Sequence, residues 1–290
     1  MAKIAVLERA LTERARRGAP GRTEARVLAR GEGFRVEDVV CTSGPRDRPF
    51  QERHTEVGLA IVVAGTFEYR SAAGSALMTP GSLLLGNADQ DFECVHDHAA
   101  GDRCLAFQLE PGYFERLAAE AGAAPRFSMN HLPPLRALAP FIARALAGLD
   151  REAEPPWEEL GIDLVAQVAR LLAGARASAP RRPTPSAIAR VTHAVRGIES
   201  DPAAAITVRG LARDAGLSPY HFLRTFESVT GVTPHQYVLR ARLRRAALRL
   251  AQEPARVLDI ALDCGFGDVS NFNRAFRAEF GLNPRAYRGL

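Results

Sequence analysis

One pattern of apolar and polar positions occurs twice in the last third of the chain. Each copy begins with a short apolar segment, continues with phenylalanines four residues apart, and ends with a glycine and a proline. These features fall at residues 211–217, 222–226 and 231–237 in the first copy, and at 260–266, 272–276 and 281–287 in the second. The offset between the copies grows from 49 to 50 residues, so the second copy has one additional residue in its turn. Repetition over this length indicates a duplicated structural unit.

Each copy predicts two helices separated by a tight turn. Gly216 and Gly265 are expected to end the first helix, because glycine readily adopts the left-handed conformation that follows many helices. Ser218 and Asp268 then supply side-chain oxygen atoms that can cap the second helix. The phenylalanines repeat at the i, i+4 spacing of a helix face that packs on a core. The sequence therefore predicts two helix-turn-helix motifs.

The face opposite the phenylalanines carries the candidates for DNA contact. The predicted second helices cover about residues 218–229 and 268–280, and each residue turns a helix by about 100°. The candidates opposite the phenylalanines are Tyr220, Arg224, Ser270 and Arg274, and those on the flanks are Leu223, Asn271 and Asn273. Arginine can bond guanine, and asparagine adenine, through paired hydrogen bonds in the major groove. The alternative is an ordinary solvated face, but an arginine at the same place in both copies favours DNA binding.

A long helix is predicted between the two motifs. Thr233-Pro234 supplies a cap and a first helical residue, and the apolar seam that follows continues to about Gln252. A helix of 19 residues is roughly 28 Å long. That length is close to the spacing of about 34 Å between successive major-groove faces. Five arginines on its remaining surface suit either phosphate contact or solubility.

Three short motifs in the second copy are specific for one protein family. They are Gly265-Phe266, Phe272-x-Arg274-x-Phe276 and Gly281-x-Asn283-Pro284-x-x-Tyr287. With them, residues 186–290 resemble the DNA-binding domain of the AraC/XylS family of bacterial transcription regulators. The resemblance implies that the two recognition helices enter successive major grooves on one face of double-stranded DNA. It also implies reading roles for Tyr220, Leu223, Arg224, Ser270, Asn271 and Arg274.

Positive charge is concentrated on the repeated region. Residues 186–290 hold 15 arginines and 9 acidic residues, whereas the preceding 185 residues hold 23 basic and 24 acidic ones. This asymmetry fits a domain that binds the phosphate backbone.

The sequence has no run of 18 apolar residues, its first 18 residues are interrupted by charges, and its four cysteines are irregularly placed. We therefore expect a cytoplasmic protein without a membrane span, a secretory leader or a disulfide framework.

The first part of the chain shows a different periodicity. Residues 4–17 predict a short amphipathic helix, and residues 18–33, rich in glycine and arginine, are expected to be mobile. Short segments with a period of two follow from Phe34 and predict an all-β barrel or sandwich. Arg53-His54 ahead of a strand and the Pro80-Gly81 turn resemble the cupin-like effector-binding domain. This second resemblance implies a cupin-like barrel at about residues 34–110.

Helical patterning returns after the barrel. Three amphipathic helices are predicted at Tyr113–Ala121, Leu135–Leu149 and Trp157–Ala173. The family resemblance implies that they form a dimer contact, and the alternative is that they pack against the barrel. The following residues, 174–187, are rich in proline, alanine and arginine and predict a linker.

The expected fold class is α+β with several domains. An all-β cupin-like barrel with flanking helices precedes an all-α domain of two helix-turn-helix motifs joined by a long helix. The expected boundaries are 1–173 for effector binding and dimerisation, 174–187 for the linker and 188–290 for DNA binding.

The barrel is expected to enclose a small organic effector. The residues predicted to line its interior are His54, Phe67, Tyr69, Phe92 and Phe107. Which of them point inward depends on the register of the strands. No cofactor is required in this interpretation.

A second candidate site in the barrel is a metal centre. If residues 92–98 form one strand, its alternation places Cys94, His96 and His98 on one face, and a return through Gly101-Asp102 brings Cys104 beside them. Two thiolates and two imidazoles are a suitable tetrahedral set for zinc or another thiophilic metal. The alternative is that the cysteines are small core residues and the histidines are satisfied by neighbours or solvent.

These features together predict a transcription regulator controlled by a signal in its barrel. The expected partners are DNA, a second copy of the chain, RNA polymerase, and a small-molecule or metal effector. A cupin-type enzyme fused to a DNA-binding domain is a rival interpretation. Thr55-Glu56 follows His54 where such enzymes need a second histidine, so we expect no enzymatic activity. A metal- or thiol-responsive regulator that uses the cysteine and histidine cluster is the third possibility.

Overall fold

The computed structural model of the protein describes residues 2–149, 156–174 and 183–289, which form two units. The first unit comprises the described parts of Met1–Pro133 and Gly148–Thr184, and the second those of Pro134–Ala147 and Pro185–Leu290. Residues 175–182 of the predicted linker lie outside the described residues. None of the described helices is long and apolar enough to cross a membrane.

The first unit is built on two antiparallel sheets. Its strands are β1 (Thr23–Gly31), β2 (Phe34–Cys41), β3 (Phe50–Arg53), β4 (Val57–Gly65), β5 (Phe67–Ser71), β6 (Gly74–Met78), β7 (Leu83–Gly86), β8 (Asp91–Val95), β9 (Asp102–Leu109) and β10 (His131–Leu132). One sheet has the order β1-β2-β9-β4-β7-β10, and the other has the order β3-β8-β5-β6.

Eleven helices are seen in the described residues of the two units together. They are α1 (Ala2–Arg17), α2 (Pro111–Glu120), α3 (Ala139–Gly148), α4 (Trp157–Gly174), α5 (Pro185–Ser200), α6 (Val208–Asp214), α7 (Pro219–Thr230), α8 (Pro234–Gln252), α9 (Val257–Asp263), α10 (Val269–Phe280) and α11 (Pro284–Arg288). The helical domain predicted for the C-terminal part of the chain is confirmed, with a sheet-rich unit ahead of it.

Apolar side chains from both sheets meet in one core. Val62 of β4 and Cys104 of β9 come from the larger sheet, and Tyr69 of β5 and Met78 of β6 come from the smaller one. All four are buried. Alternate residues of a strand point to opposite faces of its sheet, so the period of two read from the sequence corresponds to this buried face.

Strand β1 contradicts the expectation that residues 18–33 are mobile. It pairs with β2 over its full length, from Thr23 opposite Cys41 to Gly31 opposite Phe34, with an irregularity between Val27 and Ala29. The side chains of β1 are exposed or half-buried along the whole strand. An edge strand without a buried face has no apolar alternation, and so its sequence did not predict a strand.

Helices α2 and α4 pack within the first unit. The hydroxyl of Tyr113 on α2 donates a hydrogen bond to Glu158 Oε1 on α4 at 3.0 Å. The ring centroids of Trp157 on α4 and Phe107 on β9 are 6.4 Å apart. Because Leu160 is also buried within the single chain, this geometry matches the interpretation in which the helices pack against the sheet.

Helix α3 belongs to the second unit, whereas the expected boundaries placed it with the first. Its Ala139 and Ala143 share an apolar cluster with Leu243 of α8 and with Phe272 and Phe276 of α10. Small side chains allow α3 to approach these aromatic residues closely. The sequence predicted the helix correctly, but an amphipathic pattern does not indicate which domain covers the apolar face.

Candidate functional site

The repeated region folds into two helix-turn-helix units of the same construction. Helices α6 and α7 form the first unit, and α9 and α10 form the second. Gly216 follows α6 with a φ of +63°, and Gly265 follows α9 with a φ of +88°. Ser218 Oγ accepts a hydrogen bond from the backbone of His221, and Asp268 Oδ1 accepts one from Asn271 at 2.7 Å. The predicted turns and caps are confirmed.

The phenylalanines hold each second helix on the core of its unit. Phe222 and Phe226 on α7 are fully buried, as are Phe272 and Phe276 on α10. The two ring centroids lie 5.7 Å apart in α7 and 5.4 Å apart in α10. This fixed buried face determines which residues of each helix remain accessible.

All seven residues predicted to read DNA are exposed. They are Tyr220, Leu223, Arg224, Ser270, Asn271, Asn273 and Arg274. On α10, Arg274 Nη2 donates a hydrogen bond to Asn271 Oδ1 at 3.1 Å, so two of them form a preformed polar pair. On α7, Leu223 is 38% exposed and Tyr220 is 67% exposed.

Arg242 of α8 connects the two helix-turn-helix units. Its Nε donates to the carbonyl oxygen of Pro202 at 2.7 Å and its Nη2 donates to that of Ala204 at 3.0 Å, both ahead of α6. Its Nη1 donates to the carbonyl oxygen of Gly265 at 2.9 Å, in the turn between α9 and α10. No local sequence pattern predicts this role, because all three acceptors are backbone atoms distant along the chain.

Other arginines of α8 are paired within the second unit. Arg240 lies 3.2 Å from Glu279 Oε1, and Arg244 lies 2.6 Å from Glu199 Oε1. Burial raises the pKa of Glu279, although the charge of Arg240 acts in the opposite direction. These pairs assign the two arginines to holding helices together, a role that differs from the phosphate contact or solubility expected for them.

The repeated region also matches known proteins. Residues 211–289 match a family model described as a helix-turn-helix domain, and these residues include both units. The chain is 40% identical over 83 residues to the probable transcriptional regulator LumQ of Photobacterium leiognathi, a match that covers 29% of this chain and 34% of LumQ. Residues 211–289 therefore form an AraC-type helix-turn-helix domain.

Two further similarities extend this comparison. The HTH-type transcriptional activator RhaS of Salmonella arizonae is 30% identical over 189 residues, which cover 63% of this chain and 65% of RhaS. A solved transcriptional regulator with an AraC-type DNA-binding domain from Chromobacterium violaceum is 30% identical, covering 34% of this chain and 89% of that chain, with a TM-score of 0.33. The matched part of the chain spans about a third of the length of LumQ, of the regulator MtrA of Neisseria gonorrhoeae and of RhaS of Escherichia fergusonii.

The first unit brings three predicted effector residues together. His54 Nε2 and the Tyr69 hydroxyl are 2.8 Å apart, and the His54 ring stacks on Phe92 with centroids 4.1 Å apart. A Cβ atom at Gly86 would lie 2.4 Å from His54 Nε2, so glycine at this position leaves room for the imidazole. Burial lowers the pKa of His54 to about 4, and His54 is therefore neutral near pH 7.

Of the remaining two predicted effector residues, Phe67 shares the core cluster of Tyr69 and Phe92, as predicted, and Phe107 does not. Phe67 stacks on His96, with ring centroids 5.8 Å apart. Phe107 contacts Trp157 of α4, so the prediction that it lines the interior is wrong. In β9 the residues that share the face of Cys104 have even numbers, and the register places Phe107 on the opposite face.

The four residues of the predicted metal site do not form one cluster. Strand β8 ends at Val95, and His98 lies in the following turn and is exposed. Residues 92–98 are therefore not a continuous strand, and the alternation that would have aligned His98 with Cys94 is broken. Cys94 packs against the core between the sheets, and Cys104 is buried there.

A different set of side chains surrounds His96. Its Nε2 lies 2.7 Å from Asp102 Oδ1, and Cys104 Sγ donates to Asp102 Oδ2 at 3.4 Å. Burial alone would raise the pKa of the Cys41 thiol, but a hydrogen bond with His96 lowers it on balance. Burial likewise favours neutral His96, whereas hydrogen bonds with Asp102 and Cys41 raise its pKa to about 9. Cys41 was not predicted as a member of this set, because its proximity to Asp102 comes from the pairing of β2 with β9, and the two residues are 61 positions apart in the chain.

Proposed function

We propose that this AraC-family protein is a sequence-specific transcription regulator that reads two successive major grooves of double-stranded DNA. The observation that carries the proposal is the pair of exposed arginines, Arg224 and Arg274, at equivalent places on two recognition helices. Helices α7 and α10 have 12 residues each, and both have side-chain caps. The names of LumQ and RhaS as regulators support a regulatory role without enzymatic activity.

The chemistry of each exposed face suggests what it reads. Arg224 and Arg274 suit guanine, which offers two acceptors in the major groove, and Asn271 and Asn273 suit adenine. Leu223 suits the methyl group of thymine. Hydroxyl groups such as those of Tyr220 and Ser270 bond either phosphate or base edges. The two helices thus present different base preferences, which predicts two unlike half-sites.

Helix α8 supports the reading of two grooves by one chain. Its 19 residues span roughly 28 Å, which is comparable with the spacing of about 34 Å between successive major-groove faces. Arg242 attaches the segment ahead of the first motif and the turn of the second motif to α8. The two recognition helices are therefore presented as one body.

The proposal is tested by selecting binding sites from random duplexes and measuring affinity by fluorescence anisotropy. We expect R224A and R274A each to weaken specific binding by about 1–3 kcal/mol and to relax the preference at one base pair. Arg213→Ala is the matched control, because it removes the same charge from the exposed surface of α6. That variant should weaken binding to all sequences alike. Equal loss of specificity in all three variants would contradict the assignment.

We propose that the first unit senses a small organic molecule that regulates DNA binding. His54, Tyr69 and Phe92 combine a neutral imidazole, a hydroxyl and an aromatic face, which suits a ligand with both polar and apolar parts. Screening organic compounds for a shift in the melting temperature of the full-length protein tests this. Compounds that stabilise the wild type but not Tyr69→Phe support the site, whereas equal shifts for both proteins place the ligand elsewhere.

We also propose that the regulator acts as a homodimer and contacts RNA polymerase. In a homodimer, binding of one copy to DNA raises the effective concentration of the second copy at a neighbouring operator. Sedimentation of the protein with its selected DNA gives the stoichiometry, and transcription reconstituted with purified polymerase shows whether the outcome is activation. A stoichiometry of one chain per DNA would contradict the homodimer, and transcription that does not respond to the protein would contradict the contact with RNA polymerase.

A further inference from the structure

We infer that Cys41, His96 and Asp102 form a binding site for a divalent thiophilic cation such as zinc at one end of the sheet-rich unit. Each of the three offers one ligand atom, and these atoms all lie within 4.8 Å of one another. Among the described residues, no other group of three or more histidine, cysteine, aspartate or glutamate side chains meets this distance. The inference concerns the first unit and does not depend on how the second unit reads DNA.

The three ligands come from strand ends that the sheet register holds together. Cys41 is the last residue of β2 and Asp102 the first of β9, and the two are directly opposite each other in the antiparallel pair. His96 follows the last residue of β8, which belongs to the other sheet. The ligands lie at the ends of strands in two sheets that pack on each other, rather than in a long loop. The site is therefore preorganised for a small ion.

Burial and donor chemistry favour a metal over a solvated polar cluster. Cys41, His96 and Asp102 are each only 5–6% exposed. Burying charged or polar groups is unfavourable unless they are paired or bind a metal. When His96 releases its proton to bind the ion, the thiolate, the carboxylate and the neutral imidazole together carry two negative charges, which a divalent cation neutralises. Sulfur, nitrogen and oxygen donors of this kind are ligands of zinc.

Cys104 supports Asp102 but does not belong to the three-residue group. Its Sγ lies 3.4 Å from Asp102 Oδ2 and is buried on the same side of β9. The sulfur, nitrogen and oxygen of the group fill three of the four positions that zinc prefers. His98, which the sequence suggested as a ligand, is exposed and is not part of the set.

Helix α1 covers the loop that connects two of the ligands. A Cβ atom at Gly101 would lie 2.9 Å from Leu7 Cδ1 on α1 and 3.0 Å from the carbonyl oxygen of Cys41. Arg14, further along α1, forms an ion pair with Asp47 at 2.6 Å and donates a hydrogen bond to the carbonyl oxygen of Thr42. The helix is thus fastened over the strand end that carries Cys41, and it excludes solvent from the site.

The test is titration of chelator-treated full-length protein with cobalt(II) alone, followed by competition with zinc(II). We expect one cobalt per chain, with absorption bands that report a thiolate–cobalt bond, and displacement by one zinc. His96→Asn and Cys41→Ser should each weaken binding by more than about a hundredfold, beyond the loss caused by removing a supporting contact. His98→Asn is the matched control and should bind cobalt as the wild type does.

The wild-type titration decides the question even if a variant fails to fold. Absence of stoichiometric cobalt and zinc binding by the wild type would overturn the inference. So would tight binding that persists in folded Cys41→Ser and His96→Asn, or that is lost in His98→Asn alone. Circular dichroism establishes folding, and DNA binding measured on the same samples separates failure of the metal site from failure of the proposed regulator.

Discussion

Arg242 Nη1 donates a hydrogen bond to the carbonyl oxygen of Gly265 at 2.9 Å, and this contact joins the long helix α8 to the turn of the second helix-turn-helix unit. The same guanidinium holds the segment ahead of the first unit through two further carbonyl groups. One side chain therefore fixes the turn of the second motif and the segment that leads into the first motif to their connector. Arginine suits this task because its guanidinium presents five donors in a fixed planar arrangement.

Replacing Arg242 by glutamine should destabilise the second unit. We expect a loss of about 1.5–3 kcal/mol in the free energy of unfolding, the usual range for hydrogen bonds to a charged group. The measurement is urea denaturation followed by the helical circular dichroism signal. Arg245→Gln is the matched control, because the Arg245 side chain is 41% exposed and its Nη1 lies as far as 3.7 Å from Asp201 Oδ1. A loosely held surface pair contributes at most about 1 kcal/mol, so equal losses would contradict the role of Arg242.

Gly265→Ala should be more harmful than Gly216→Ala. Both glycines have positive φ, so alanine is strained at either position by about 1–2 kcal/mol. A Cβ atom at Gly265 would also lie 2.8 Å from Ala203 Cα, whereas the nearest atom at Gly216 is 4.0 Å away. We expect Gly265→Ala to lose about 1–3 kcal/mol more than Gly216→Ala in urea denaturation, the usual cost of overpacking. Similar losses would show that the turn relaxes freely.

Phe276→Ala should disrupt the second helix-turn-helix unit. The side chain is fully buried and packs on Phe272, Phe280 and Tyr287. Removing a core phenylalanine costs about 3–5 kcal/mol, a large share of the stability of a small domain. Hydrogen exchange of α10 should accelerate strongly in this variant. The exposed neighbour Arg277 provides the control, and its replacement by alanine should leave the exchange unchanged.

His54 should make the first unit sensitive to acid. Its pKa is lowered to about 4 by burial, below the usual value of about 6.5. Between these values the unfolded chain binds a proton that the folded protein does not, so stability falls as the pH decreases through this window. The full contribution is about 3 kcal/mol.

The measurement is denaturation at pH 7 and pH 4.5, followed through the fluorescence of the single tryptophan, Trp157, which is buried in the first unit. His54→Gln should lose less stability over this range than the wild type. Some loss should remain, because burial also lowers the pKa of His131 to about 4. Identical losses in wild type and variant would mean that His54 is solvated in solution.

Local signals predicted the second unit well. The predicted helix from Thr233-Pro234 to about Gln252 agrees with α8, because Thr233 forms a capping box with Gln236 and the seam of leucines faces the core. Gly216 and Gly265 likewise occupy the turns expected of them. Such features depend on residues within four positions of one another, and a single sequence contains that information directly.

The first unit was predicted less well because its interactions are non-local. The pairing of Cys41 with Asp102, and with it the set around His96, follows from strand register rather than from any spacing in the sequence. His98 was placed incorrectly because a turn ends β8 three residues earlier. Phe107 was assigned to the wrong face for a related reason, since in a buried strand both faces are apolar and periodicity does not distinguish them.

The attachment of both motifs to α8 has a consequence for promoter architecture under the proposed two-groove reading. Two readers held at a fixed separation act as a ruler, and the DNA must present its two half-sites at a matching interval and helical phase. Inserting one base pair between the half-sites rotates one against the other by about 34°, and inserting five places them on opposite sides of the duplex. The operators of this regulator should therefore tolerate changes in base sequence between the half-sites far better than changes in their spacing.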